Sequence, residues 1–271
     1  MQGASILPFA TPAGPDPLPP PGPRRTPDAP EVARQRLLVS IATYNERDNL
    51  AGLVAAIHAE LPHADVLVID DNSPDGTGDL ADELALADRR VRVLHRAGKL
   101  GLGTAILAGM RYAIDGRYDL LLNIDADFSH PPRYLRWLVS GMRDHDVMIG
   151  SRYVPGGGTV NWPWSRRLIS RAVNLFVRLA LRLPVRDASG AYRCYRVDLL
   201  RRADLAGVRS RGYSFQQEVL YRCHRAGARI GEFPIVFENR KAGASKVSLR
   251  ESVRSLSMLA WLGVKATLRL G

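Results

Sequence analysis

Apolar residues recur along the chain in two alternating rhythms. Largely apolar runs at 37–42, 66–69, 91–94, 120–124 and 147–149 are too short for helices. They read as strands buried on both faces of a parallel sheet. Between them the spacing turns helical. Leu50, Leu53, Val54 and Ile57 follow the first run, and further helices are expected from about Thr77, near 104–115 and after Pro131-Pro132. Strands alternating with helices of about 10–15 residues specify an α/β fold, a Rossmann-like, mostly parallel sheet flanked by helices.

After Ser151 the rhythm changes. Residues 153–164 form a loop with Gly156-Gly157-Gly158, Trp162 and Trp164, and an amphipathic helix is expected at about 165–183. A helix near 215–226 and a strand segment at 229–237 complete the core, followed by a polar loop at 238–246. Residues 248–271 are apolar but broken by Arg250, Arg254, Lys265 and Arg269, which suits an amphipathic interfacial or packing helix. At the other end, residues 1–34 hold 10 of the 18 prolines and read as a disordered tail, or as a ligand for a proline-recognition domain.

Charge sharpens the picture. Lys and Arg number 38 against 27 Asp and Glu, a net charge of +11, which points to an anionic partner. Between Arg166 and Arg211 stand 12 arginines and 3 acids, a net +9 over 46 residues. Arg167, Arg171, Arg178 and Arg182 share one helix face. It is either a solvated face or a contact for a phosphate-bearing surface such as lipid headgroups. The charge accompanies apolar helices and not an aromatic-studded sheet or recognition motif, so a nucleic-acid partner is not expected. Cys194 and Cys223 form no CxxC pair, so neither a disulfide framework nor a cysteine zinc site is expected. The first residues lack the pattern of a secretory signal, and no apolar stretch has transmembrane length. A cytoplasmic protein, peripheral on the cytoplasmic face of a membrane, is the expectation.

The fourth strand ends in Asp125-Ala126-Asp127, and the second in Asp70-Asp71. In parallel strands these ends share one edge of the sheet, so both acidic clusters converge on the crevice where such sheets bind ligands. Two acids in a small volume call for a neutralising cation, and hard oxygen ligands suit Mg²⁺ or Mn²⁺ bridging to substrate phosphates. Taken alone, the same residues also read as an Asp-rich turn with Ser129 capping the next helix. Gly98-Lys99-Leu100-Gly101-Leu102-Gly103 fails the dinucleotide fingerprint, having no glycine three residues on and following the third strand. Phosphate-loop, serine-hydrolase, zinc-protease and kinase motifs are absent from the sequence. Of the six histidines, His130 alone adjoins the acidic site.

Several stretches together carry a resemblance. They are Ala42-Thr-Tyr-Asn-Glu46, Ile69-Asp-Asp-Asn-Ser-Pro-Asp-Gly-Thr77, Gly101-Leu-Gly-Thr104, Asp125-Ala-Asp127 with Ser129-His130, Gly150-Ser-Arg-Tyr153, and Arg240 with Ser245-Lys246. Over about residues 37–250 the chain resembles the dolichol- or polyprenol-phosphate mannosyltransferases of glycosyltransferase family 2. The resemblance implies a GT-A fold at 35–247, its nucleotide-sugar and metal half at 35–152 and its acceptor half at 153–247. It implies transfer of mannose from GDP-mannose to a polyprenyl phosphate. Ala42, Tyr44, Glu46, Ile69 and Asp71 would line the nucleotide pocket. Asp125, Ala126 and Asp127 would hold the metal and diphosphate, with Asp125, Asp127 and Arg152 central to catalysis. Arg152, Arg240 and Lys246 would contact donor or acceptor phosphates. Ala42 departs from the proline usual in the family, at a position that works through backbone and shape. Some relatives also carry C-terminal transmembrane helices. Here basic and apolar helices, or a membrane-protein partner, would supply that attachment.

The chemistry of the residues agrees. Arginines offer forked bonds to phosphate, and a lipid monophosphate with a second pKa near 6 is already a nucleophile at neutral pH. No general base is required, and direct displacement with inversion is expected. Ser129 and His130 are candidates for sugar or acceptor contact. Asp187, in Arg186-Asp-Ala-Ser-Gly190, either orients sugar hydroxyls or builds a turn. The nearest alternative is transfer of glucose from UDP-glucose to the same lipid.

Overall fold

The computed structural model describes residues 35–210, 212 and 214–238. The expected tail at 1–34, the C-terminal helix at 248–271, Arg240 and Lys246 lie outside these residues.

The elements alternate as the apolar rhythm requires. β1 (Leu37–Thr43), α1 (Arg47–Glu60), β2 (Asp65–Asp70), α2 (Thr77–Ala87), β3 (Val91–His95), α3 (Leu102–Asp115) and β4 (Leu120–Asp125) come first. A 3₁₀ turn (Pro132–Tyr134) leads into α4 (Leu135–Gly141), then β5 (Val147–Ser151). The Pro131-Pro132 signal thus opens a 3₁₀ turn, with the α-helix starting three residues later than Pro132. Next come β6 (Gly158–Val160), α5 (Trp164–Leu181), β7 (Arg193–Arg196), α6 (Val197–Arg202), a second 3₁₀ turn (Leu205–Gly207), α7 (Phe215–Arg225), β8 (Ile230–Pro234) and β9 (Val236–Glu238). α5 stops where Arg182 takes a left-handed conformation (φ 51°) two residues before Pro184, which cannot continue a helix.

Seven strands form the main sheet in the order β3-β2-β1-β4-β7-β5-β8. All neighbours run parallel except β7, which lies antiparallel between β4 and β5. The chain steps outward from β1 to β2 and β3, then returns to place β4 on the other side of β1. The crevice of an open α/β sheet forms at such a reversal. Here that places it between the ends of β1 and β4, where Ala42 pairs with Asp125. The expected strand at 229–237 is two strands. β8 closes the main sheet, while β9 leaves it to pair with β6 in a small parallel sheet.

Alternate side chains along each strand enter two cores. Leu38, Leu67, Ile69, Leu121 and Ile149 pack on one face with α3, α6, α7 and the end of α5. Val39, Ile41, Val66, Val68, Leu120, Leu122 and Ile124 pack on the other with α1, α2 and α4. Each core draws on residues from both sides of 152, so the two expected halves pack as one unit. Cys194 and Cys223 are buried and unpaired, and burial pushes both thiols up to about 12, as inert core residues.

Leu121 is fully buried at the centre of β4, two strand turns from the acids. Leu121→Ala is expected to lower unfolding stability by about 2–5 kcal/mol in urea titration. A loss below about 1 kcal/mol would contradict the packing assigned to β4.

Candidate active site

The end of β4 is shaped by a tight turn. Asp127 Oδ1 accepts the Ser129 N–H at 3.0 Å, and Phe128 between them takes a left-handed conformation (φ 57°). Its ring lies against α1, where a Cβ at Gly52 would meet it at 3.6 Å. Ser129 forms no side-chain cap on the following turn, whose cap position is Pro131. Asp125 keeps 31% of its side chain exposed at the crevice. Ala126 between the two acids is buried.

His130 is buried below Asp125, with Nδ1 3.3 Å from Asp125 Oδ2. The rings of Tyr192 and Phe237 each sit 5.1 Å away. Burial lowers its pKa, opposed by the charge of Asp125, so the ring is neutral at physiological pH. Ser129 is also buried, and its carbonyl accepts the Glu238 N–H from β9.

The donor set fits a hard divalent cation in part. Two carboxylates one residue apart offer oxygen ligands at a sheet edge. Among the described residues no group of three or more His, Cys, Asp or Glu could hold a metal. Mg²⁺ and Mn²⁺ in general take few protein carboxylates and complete their shells with water and substrate phosphate.

Asp70 and Asp71 differ in what they do. Asp70 is buried and accepts Thr43 Oγ1 at 3.1 Å, Ser73 Oγ at 2.5 Å and Ser73 N at 3.0 Å, which fixes the turn after β2. Asp71 lies beside Arg96, whose Nη1 is 2.7 Å from its Oδ1, and accepts the Leu100 N–H at 3.3 Å. Burial raises its pKa, and Arg96 opposes the rise. Ile69 sends its fully buried side chain into the core, leaving its backbone at the edge. Tyr44 is half-buried after β1, with Lys99 Nζ 3.9 Å above its ring. Glu46 accepts Asn49 Nδ2 at 2.8 Å.

Arg152 follows β5 and enters the same region. Its Nε and Nη2 donate to Asp187 Oδ2 and Oδ1, both at 2.8 Å, and Nη2 also donates to Ser189 Oγ. Asp187 is fully buried and further accepts the N–H groups of Arg152 and Gly190 at 3.0 Å. Burial alone would raise its pKa, but Arg152 and these donors hold it below the usual carboxylate range. The oxygens of Asp187 therefore face Arg152 and a turn. The guanidinium carbon lies 5.3, 5.5 and 5.6 Å from the ring centroids of Tyr153, Trp162 and Phe237. Arg166, at the start of α5, has its guanidinium carbon 4.0 Å from the Trp162 ring centroid.

Asp125, Asp127, His130 and Arg152 are thus gathered at one edge, with Ala42, Tyr44 and Asp71 along the β1–β2 side. The sequence reading missed the aromatic wall and the basic pair Arg96 and Lys99. A signal existed for the pair, since both follow β3 and parallel strands end on one edge.

The profile of glycosyl transferase family 2 matches residues 38–203. The chain is 45% identical over 242 residues to the undecaprenyl-phosphate mannosyltransferase of Micrococcus luteus, covering 87% of this chain and 100% of that protein. It is 44% identical over 236 residues to the polyprenol monophosphomannose synthase of Mycolicibacterium smegmatis, covering 86% and 89%. Among solved structures it resembles glucosyl-3-phosphoglycerate synthase from Mycobacterium tuberculosis with Mn²⁺ and UDP, with a TM-score of 0.56, 19% identity, and 88% and 80% of the two chains covered. It also resembles mannosyltransferase PcManGT from Pyrobaculum calidifontis with GDP-Man and Mn²⁺, with a TM-score of 0.59, 17% identity, and 88% and 65% covered. At these identities the structures establish a shared GT-A-like α/β fold. The profile match and the two full-length relatives go further, and the chain belongs to glycosyltransferase family 2.

Proposed function

We propose that the protein transfers mannose from GDP-mannose to a polyprenyl phosphate with inversion at the anomeric carbon. One observation carries the reading. The acidic end of β4 and the buried arginine after β5 meet at one sheet edge, in a chain 45% identical to an undecaprenyl-phosphate mannosyltransferase along that protein's full length. Asp125 and Asp127 would hold Mg²⁺ or Mn²⁺, which when bound neutralises the charge of a departing diphosphate. Ala42, Tyr44, Glu46, the backbone at Ile69, and Asp71 line the nucleotide side. Asp71, oriented by Arg96, accepts from the base or ribose.

Arg152 supplies positive charge beside the acids and, held by Asp187, does not reorganise as charge moves from the anomeric carbon to the nucleotide. The bond between the anomeric carbon and the GDP oxygen breaks as one forms to the lipid phosphate oxygen. That phosphate is largely dianionic at neutral pH, so its attack needs positioning and no proton acceptor. The surroundings agree, because Asp70, Asp71 and Asp187 are buried and already accept hydrogen bonds or face arginine. Asp187 acts here by positioning Arg152. Ser129 and His130 support the acids from below. Arg240 and Lys246, outside the described residues, remain proposed phosphate contacts.

The lipid acceptor requires a membrane surface. Among the described residues no helix is long and apolar enough to cross a membrane. α5 nonetheless exposes Leu168, Ile169, Leu175, Phe176 and Leu179, flanked by Arg167, Arg171, Arg178 and Arg182. Such a helix lies in the interface plane. Peripheral binding to the cytoplasmic leaflet, which is anionic, fits this helix.

A donor screen with polyprenyl phosphate should give turnover with GDP-mannose and little with UDP-glucose; turnover with UDP-glucose alone would replace mannose by glucose. Asp127→Asn is expected to cut metal-dependent turnover by more than about 100-fold with an unchanged melting temperature. Activity within a few fold of the parent would remove Asp127 from the metal site. Leu179→Asp should abolish flotation with anionic vesicles while sparing turnover of a short, soluble acceptor. Unchanged flotation would mean that α5 is not the membrane contact.

A further inference from the structure

The loop after β3 stands where a nucleobase would. Lys99 Nζ lies 3.9 Å from the centre of the Tyr44 ring. Stacked rings approach to about 3.5–4 Å. The ammonium therefore occupies the layer that a base on that face of Tyr44 would fill. The next residues of the loop take a second contact. The Leu100 N–H donates to Asp71 Oδ2 at 3.3 Å, and the Gly101 N–H also reaches this carboxylate. Tyr44 and Asp71 both belong to the proposed nucleotide side, and one short segment, 99–101, meets both.

That segment is fastened by polar contacts and little else. Leu100 and Leu102 are 58% and 55% exposed, and Lys99 is exposed as well. Gly98 has open space where a Cβ would point, and Gly101 takes a φ of 99°, which favours glycine. The two glycines bracket Lys99 and Leu100, so this pair can move without uncovering a buried apolar surface. Arg96 is held differently. Its N–H donates to Asp70 O at 2.8 Å, and its Nη2 donates to Thr104 Oγ1 at 2.6 Å, in the first turn of α3. Arg96 can thus stay beside Asp71 while 98–101 leaves.

Both contacts have a physical reason when the pocket holds no base. Asp71 has only 7% of its side chain exposed, and a buried carboxylate short of donors is costly. An ammonium gains from an aromatic face. A base brings its own ring and its own N–H donors, so it can replace both. A closed state that must open first weakens every nucleotide by the same factor.

We propose that residues 98–101 form a latch on the base pocket. Lys99 on Tyr44 and the N–H groups of Leu100 and Gly101 on Asp71 substitute for a nucleobase. Nucleotide entry opens the latch, and its reclosure helps release the spent nucleoside diphosphate. The inference rests on the reading of the nucleotide side given above, with Tyr44 offering its ring to the base. Lys99 is a competitor of the base and not its ligand.

Calorimetry on the full chain with Mn²⁺ and GDP tests the sign. Lys99→Ala should tighten GDP by about two- to fivefold, the strength of an exposed cation–π contact. GMP, which lacks the outer phosphate, should tighten by the same factor. Lys99→Arg keeps a cation over the ring and should bind GDP as the parent does. Tyr44→Ala should weaken GDP, because stacking on a base outweighs the latch contact. Lys99→Ala added to Tyr44→Ala should change nothing further. Amide exchange at Leu100 and Gly101 should quicken when GDP binds, since their N–H groups leave Asp71.

Unchanged or weaker GDP binding by Lys99→Ala would overturn the latch. Weaker GDP with unaltered GMP would make Lys99 a diphosphate contact instead. Exchange slowed or unchanged by GDP would mean that the loop stays closed over the nucleotide, which also overturns it. The underlying reading fails in a different way. Full GDP affinity in Tyr44→Ala would remove Tyr44 from the base pocket, and the latch would fall with it. Weakened binding in both Tyr44→Ala and Lys99→Ala would leave the base pocket standing and sink the latch alone.

Discussion

Two carboxylates cannot share the end of one strand at low energy without positive charge nearby, and the crevice is built around that constraint. The sheet reverses direction beside β4, so Asp125 meets the end of β1 and not a covering strand. The acids at the end of β2, Asp70 and Asp71, have partners of their own. Asp70 is turned into its own loop, and Asp71 is matched by Arg96. Asp125 and Asp127, at the end of β4, are the acids proposed to meet a divalent ion and a diphosphate together.

Arg152 answers the same constraint from the other side. An unpaired guanidinium buried this deeply would cost several kcal/mol. Asp187 removes that cost with a two-pronged pair, and the flat faces of Tyr153, Trp162 and Phe237 surround the group. The arrangement also ties the fold together. Trp162 belongs to the segment between β6 and α5, Phe237 to β9, and Asp187 to the turn before β7. The wall beside the acids exists only when β9 leaves the main sheet to pair with β6. His130, against Phe237 and Tyr192, joins that wall to the acidic turn.

Much of this was legible in the sequence, for physical reasons that also explain the omissions. β1, β2, β4 and β5 are buried on both faces, so they read as mainly apolar runs, broken only by Ser40 in β1 and Asn123 in β4 before their ends. β7 reads Arg-Cys-Tyr-Arg and carries no such signal. It is held by ladder bonds on both sides, and the fully buried Arg193 is satisfied by the carbonyls of Ala188 and Gln216, contacts remote in sequence or set by the turn. The convergence of the acids followed from strand direction alone. Their division of labour did not, because Asp70 and Asp71 are adjacent and chemically identical until Ser73 and Arg96 are placed in space. Asp187 carried two readings in the sequence. In the structure it is fully buried and accepts from Arg152 and the N–H of Gly190, which supports the reading as a turn.

The same reasoning separates the two kinds of arginine in the chain. Arg193 is fully buried and the Arg152 side chain nearly so, and both have partners, so each serves the fold even where it also serves the site. Those along α5 sit at the margin between a buried face, marked by Asn174, Val177 and Leu181, and an exposed apolar one. A helix designed for water would place its charges opposite the core and hide its leucines. α5 does the reverse, putting charge at the flank and leucines outward. Under the proposed membrane attachment, apolar chains would lie over the leucines and anionic headgroups level with the arginines. The excess of basic residues in this segment is thus a matter of position more than of total charge, for the same arginines opposite the core would give the same net value and no orientation to the site.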